Sequence, residues 1–245
     1  MSVEWLSSVY DWKAGIALIV MVVALGKFGR WLVFKVPAFQ RVREQNRALD
    51  KERLGRDKYP PMIKRSIRAG MWTNLAFFFV MAPLVVSFEP RPLWRGLFDI
   101  VLILMVYDFF YYLTHRFLFH AAHDSRFAVL RFFRRVHAVH HQARDPSHID
   151  AFYVHPVETT IGQLLFHFTV LGLGLALGGF HVVSVAIASV VYIQLNTFNH
   201  VKFELPGYKL LNWISFKHHV HHIDMQKGNY ATITLLYDKL FGTLD

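Results

Sequence analysis

From Thr159 to Val201 the chain runs 43 residues without an Asp, Glu, Lys or Arg. One helix crossing a bilayer needs about 20 apolar residues, so this run holds two, and Gly178-Gly179 near its middle marks the turn between them. The pattern predicts a helical hairpin in lipid, over about 161–178 and 182–200. Ala69 to Phe88 is a further uncharged run of 20 residues, giving a span at 69–88. A span at 93–113 carries Asp99 and Asp108. A first span at 14–34 has Lys27 and Arg30 in its second half, whose stems can snorkel to the interface. Hydrophobic residues make up 54% of the chain and charged residues 18%, too few charges for the surface of a soluble protein of this size. The 245 residues fit one domain, 1–245, an all-α integral membrane bundle of four to five transmembrane helices.

The charges give the bundle an orientation. Of the 27 Lys and Arg, 11 lie in 35–68, six in 114–158 and five in 202–239. Five crossings put these segments on one side, which the positive-inside rule makes cytoplasmic. The net charge of +10 is then topology plus attraction to anionic lipid, and no nucleic-acid partner is expected. No cleavable signal is expected either, because a basic n-region is lacking. The stretch from Gln40 to Arg68 reads as a cytosolic helix and then a break at Tyr59-Pro60-Pro61 leading into the second span.

Cysteine is absent, which excludes a thiol nucleophile, a disulfide framework and any thiolate-held metal. A metal must be held by His, Asp or Glu, and 13 of the 15 His lie in 115–155 or 200–222. His115 and His120 form HxxxxH. His137, His140 and His141 form HxxHH, and His218, His221 and His222 form a second HxxHH. At this His frequency one HxxHH arises by chance roughly 0.05 times in such a chain. On a helix, positions i, i+3 and i+4 share a face, so each HxxHH is expected to offer three imidazoles to one locus. HxxxxH suits a regular helix less well, since i+5 turns away by about 140°; it works at a helix end or where the helix loosens. Eight imidazoles exceed the four to six ligands of one ion and imply two metals. A lipid-embedded site with no thiolate and few carboxylates favours a di-iron centre for oxygen activation, although ligand type alone admits zinc. His200 offers a ninth imidazole. Asn196, one turn deeper, is placed to hold a water on a metal, and Asp108, two turns before His115, to accept a hydrogen bond from an imidazole.

With the segments YDFFYYLTHRFLFH (107–120), RVHAVHH (135–141), VHPVE (154–158), NTFNH (196–200) and KHHVHHIDMQKGNYATITLLYDKLFGT (217–243), the chain resembles the fatty acid hydroxylase / sterol desaturase superfamily. The resemblance implies a transmembrane bundle capped by a cytosolic helical metal-binding domain (114–158 and 200–245), with two iron ions and O2 as co-substrate. It places His115, His120, His137, His140, His141, His200, His218, His221 and His222 on the family's ligand positions. Hydroxylases of this group often show HxxxH where Asn196 and His200 stand here; NxxxH is the desaturase pattern, so the tenth ligand is open. His155, in the family's HPxE, is expected to cap the fourth span, with direct ligation as the alternative. Asn229 and Asp238 recur in the family tail as candidate supports of the ligands.

The function this implies is oxygen-dependent hydroxylation of a C–H bond in a fatty-acyl, sterol-like or other membrane lipid. Desaturation at the same di-iron site is the alternative. A membrane metal-binding or transport protein is the remote one, disfavoured because the His gather at one face rather than along the spans. Electrons would come from a separate donor, whether ferredoxin, cytochrome or reductase. The location implied is a bacterial inner membrane, or the endoplasmic reticulum in a eukaryote, with the metal site on the cytoplasmic side.

Overall fold

Asp11 starts the first described helix, its carboxylate accepting the Ala14 N–H at 3.0 Å. In the computed structural model, which describes residues 10–203 and 205–245, helix α1 (Trp12–Val33) is followed by α2 (Pro37–Leu54) and α3 (Tyr59–Ala76). Helix α3 continues through a π-turn at Phe77–Met81 and a 3-10 turn at Ala82–Leu84. Helix α4 (Leu93–Thr114) widens into a π-turn at His115–Phe119. Short α5 (Ala128–Ala138) leads through 3-10 turns at His140–Gln142 and His148–Phe152 into α6 (Pro156–Leu177) and α7 (Val182–Phe198). Helices α8 (Lys209–Ile223) and α9 (Leu236–Leu240) complete the chain.

Among the described residues, four helices are long and apolar enough to cross a membrane: Trp12–Val33, Tyr59–Leu84, Leu93–Phe119 and Pro156–Leu177. The 17 residues of α7 are apolar but shorter. This is an all-α membrane helical bundle. Its outer surface shows why it needs lipid: Val20, Val80, Leu93, Val101 and Phe168 are each more than half exposed. The core lies between the helices, around Leu18, Phe77, Ile103, Phe166 and Val185. Helix α1 packs on α7, α3 on α6, and α4 on both α6 and α7. The α3–α6 contact is close because Gly70 faces Gln163; a Cβ there would lie 2.7 Å from its Nε2. One turn away, the Ser66 and Thr159 hydroxyls bond at 2.7 Å.

The spans differ from expectation mainly at their ends. The second begins at Tyr59, not 69, because Pro60 and Pro61 occupy the first helical turn, where no N–H is needed, and so start a helix instead of breaking one. It ends at Leu84, and Val86–Ser87 pairs in parallel with Phe180–His181. The hairpin turns where predicted: Gly178 and Gly179 have φ of 76° and 82°, which glycine adopts without a Cβ clash, and Arg91 Nη2 donates to the Gly178 carbonyl at 2.7 Å. Asp99, fully buried, is matched by Arg95 at 2.8 Å on the next turn.

The segments at the opposite end from the β-pair knit together through buried polar groups. Asp150 accepts a hydrogen bond from Tyr59 Oη at 2.8 Å and forms an ion pair with Arg53, Nε lying 2.7 Å away. Asp50 accepts Ser147 Oγ at 2.8 Å and the Ile149 N–H at 3.0 Å. These bonds fix 145–153 against α2 and α3 and thereby set the floor of the histidine cluster.

Candidate metal centre

The nine ligand-position imidazoles form two groups, each with its ring nitrogens within 4.8 Å of one another. His115, His120, His137, His141 and His221 make one; His140, His200, His218 and His222 make the other. Contrary to expectation, no HxxHH serves a single locus. His137 and His141 point to the five-ring group while His140 turns to the four-ring group; His218 and His222 enter the four-ring group while His221 crosses to the five-ring one. The reason is angular. Residues i and i+4 lie nearly above one another on a helix, whereas i+3 falls to the other side of that line, so a box laid between two loci feeds both.

The awkward HxxxxH pair is brought together by the π-turn. The His120 N–H donates to the His115 carbonyl at 2.9 Å, an i to i+5 bond. One extra residue in the turn brings i+5 to the face that i+4 would hold, and the two rings stand 4.9 Å apart.

Hydrogen bonds at the far ring nitrogen aim seven of the nine imidazoles. Nδ1 donates to the Tyr230 carbonyl from His115 at 2.7 Å, to Met225 from His120 at 2.9 Å and to Tyr153 from His140 at 3.3 Å. It donates to Asn196 from His200 at 3.0 Å, to Gly228 from His221 at 2.8 Å and to Ala143 from His222 at 3.0 Å. His137 Nδ1 donates to the Glu158 carboxylate at 2.7 Å. A proton on Nδ1 leaves Nε2 a bare lone pair. Yet these Nε2 atoms face one another: His115 to His137 at 3.0 Å, His115 to His221 at 3.2 Å, and His140 to His200 at 2.9 Å. Two acceptors cannot hydrogen-bond, so the packing is repulsive unless a cation lies between them. Nitrogens about 2.1 Å from one cation and at right angles to each other are about 3.0 Å apart, which matches the spacing seen. The donor set therefore fits two metal ions. Burial favours the neutral imidazole that ligation requires: His120 is pushed down to about 2 and His140 and His221 to about 4, with neighbouring rings adding to the effect at His120 and His140.

The other candidates lie outside both groups. Asp108 does not meet an imidazole. Its carboxylate accepts the N–H of Thr232, Ile233 and Thr234 at 2.8–3.0 Å and the Thr234 hydroxyl at 3.0 Å, pinning the tail to α4. The Asn196 side chain bridges the Tyr192 carbonyl and the Thr232 hydroxyl, each at 2.8 Å, and only its backbone carbonyl serves His200. His155 caps α6, Nδ1 accepting the Val157 N–H at 3.2 Å. Asp238 accepts the N–H of Tyr230 and Ala231, and Asn229, at a φ of 63°, bonds the Lys217 carbonyl. Both hold the loop whose carbonyls orient His115 and His221. Glu158, legible in the sequence only as the acidic end of HPxE, is the partner of His137 across 21 positions. An acidic residue in the first turn of a span, three after a His, was the available signal.

A cavity of about 410 Å3 opens between α3, α4, α6 and α7. Its walls carry Tyr107, Tyr111, Gln163 and Tyr192, and its inner end is formed by His140 and His200 together with Glu158. Space among the membrane helices thus reaches the four-ring group directly.

The fatty acid hydroxylase family pattern matches residues 100–243, more than half of the chain. Methylsterol monooxygenase 1 of Rattus norvegicus is 32% identical over 145 residues, covering 57% of this chain and 44% of that protein. Methylsterol monooxygenase 2-2 of Arabidopsis thaliana is 26% identical over 162 residues, 63% of this chain and 55% of the relative. Fatty acid hydroxylase domain-containing protein 2 of Macaca fascicularis is 23% identical over 197 residues, 75% and 53% respectively. The chain spans about half the length of these relatives. No solved structure matches it. The matched region contains all nine clustered imidazoles, and the chain belongs to the fatty acid hydroxylase family.

Proposed function

We propose that the protein is a lipid oxygenase that hydroxylates a C–H bond of a fatty-acyl or sterol-like membrane lipid at a centre of two iron ions. The observation that carries this reading is the meeting of a lipid-side cavity with imidazoles whose lone pairs converge without protons between them. When bound, iron supplies the redox chemistry by which O2 oxidises an unactivated C–H bond. His115, His120, His137, His141 and His221 would hold one ion, and His140, His200, His218 and His222 the other. The chain's own part is positioning. Backbone carbonyls and Glu158 hold the rings in one tautomer. The cavity walls fix the substrate and exclude bulk water beside the four-ring group. Electrons would come from a separate donor, and the Lys/Arg distribution supports a centre on the cytoplasmic side.

Comparing the lipids of cells with and without the gene tests this. Gain of one oxygen atom in a lipid class supports hydroxylation. Loss of two hydrogens would replace it by desaturation at the same site, and an unchanged lipid profile with full metal occupancy would sink both.

A further inference from the structure

A second cavity, of about 380 Å3, lies on the other side of α7, between it, α1 and α2. Part of its wall is apolar, with Leu25, Val33, Phe39 and Val190. Gly26 and Gly29 leave that wall open: a Cβ at either would meet no atom within 4 Å. The rim is cationic. Arg30, at the end of α1, and Arg43 and Arg47, on α2, all line it. Among the described residues none of the three forms an ion pair; Arg43 only stacks its guanidinium over Phe34 at 4.5 Å. Asp50, the one carboxylate among the lining residues, is already committed to Ser147 and Ile149. Three arginines, one at the end of a membrane span and two on the helix that follows, thus share a cavity with apolar side chains and have no ion-pair partner among the described residues.

That combination matches one ligand chemistry: a phosphate on a hydrocarbon chain. Guanidinium groups bind phosphate oxygens through paired charge-assisted bonds, and each basic side chain at the membrane surface adds to the attraction for anionic lipid. We propose that this pocket holds an anionic phospholipid of the surrounding bilayer, its phosphate among Arg30, Arg43 and Arg47 and an acyl chain against Gly26, Gly29 and Val190. The site is separate from the catalytic reading. It touches the first cavity only through Thr197, which lines both, so the bound lipid braces the end of α7 three residues before His200.

The test is native mass spectrometry of the full chain released from bilayers of equal phosphatidylglycerol and phosphatidylcholine. Retention of phosphatidylglycerol over phosphatidylcholine is expected. Combined Arg30→Gln, Arg43→Gln and Arg47→Gln should lower it about ten-fold or more, whereas Lys64→Gln, Arg65→Gln and Arg68→Gln, exposed on α3, should leave it unchanged. Gly26→Leu with Gly29→Leu fills the slot and should expel the lipid with every arginine in place, which keeps the test valid if the arginine variant folds poorly. Equal retention of the two lipids, or retention unaffected by both variant sets, overturns the proposal. Displacement of the lipid by inorganic phosphate, with the glycine variant still binding phosphate, would also overturn it by marking a soluble-anion site.

Discussion

Glu158 accepts a 2.7 Å hydrogen bond from Nδ1 of His137, and both side chains are buried, at 7% and 1% exposure. The pair joins the first turn of a membrane helix to the five-ring group. The carboxylate makes its imidazole a stronger donor to a cation, and such partners typically carry 10- to 100-fold in metal affinity. Glu158→Gln can still accept the bond but loses the charge, so metal affinity should fall about 10-fold; Glu158→Ala should fall further. Competition with a chelator, read by metal analysis, measures both. Equal affinity in all three proteins would remove Glu158 from the site.

His218 and His219 are neighbours with opposite assignments. His218 Nε2 faces His200 and His222, at 3.1 and 3.2 Å. His219 Nδ1 bonds the Ser215 carbonyl at 2.8 Å. His218→Ala should reduce bound metal and abolish lipid oxidation, while His219→Ala keeps the metal and loses about 1 kcal/mol of stability. Metal per folded chain and thermal melting distinguish the two.

Gly162 lines the first cavity, and its Cβ position lies 4.0 Å from the Tyr111 ring. Gly162→Leu should fill the cavity without touching any imidazole. The expected result is full metal content with at least about a ten-fold loss of product formation, since misplacement of even 1 Å is costly to a positioned reaction. Unimpaired turnover would put the substrate elsewhere.

Acid should weaken the metal-free protein. An unfolded His titrates near 6.5, whereas burial holds His140 and His221 down to about 4 when folded. Between these values the unfolded chain binds more protons, so stability rises with pH through that window and is lost as pH falls from about 6.5 toward 4. Chelated protein should melt lower at pH 5 than at pH 7.5, by about 2–4 °C for each kcal/mol lost. A melting temperature independent of pH would contradict the neutral, buried state of these rings.

Asp108 tests how far the tail depends on one carboxylate. Asp108→Asn presents an amide to three backbone N–H donors and should cost about 2–3 kcal/mol. Metal content should fall with it, because the tail carries the Tyr230 carbonyl that orients His115. Melting curves and metal analysis check the two effects together.

The helical hairpin and the histidine boxes were legible in the sequence because each is written in short-range spacing. Forty-three uncharged residues with a glycine pair near the centre admit few structures in lipid, and ligands on one helix must recur at three and four. What was not legible depended on contacts between distant segments. Asp108 reads as an imidazole partner because the two are seven residues apart, but its actual partners lie over 120 positions away in the tail. Glu158 escaped notice as the partner of His137 for the same reason. Pro60-Pro61 carries two meanings, a stop or a start, and only the helix that follows decides between them. The division of each HxxHH between two loci could not be foreseen from one box, since it needs the position of the other.

That division has a consequence for assembly. Because His140 leaves its own box for the neighbouring group and His221 does the reverse, whichever ion arrived first would staple both segments at once. The empty place is then preformed for its companion, so titration of the apoprotein should be steep, with singly filled molecules scarce. Damage to either box would, by the same cross-stitching, cost the protein both cations together.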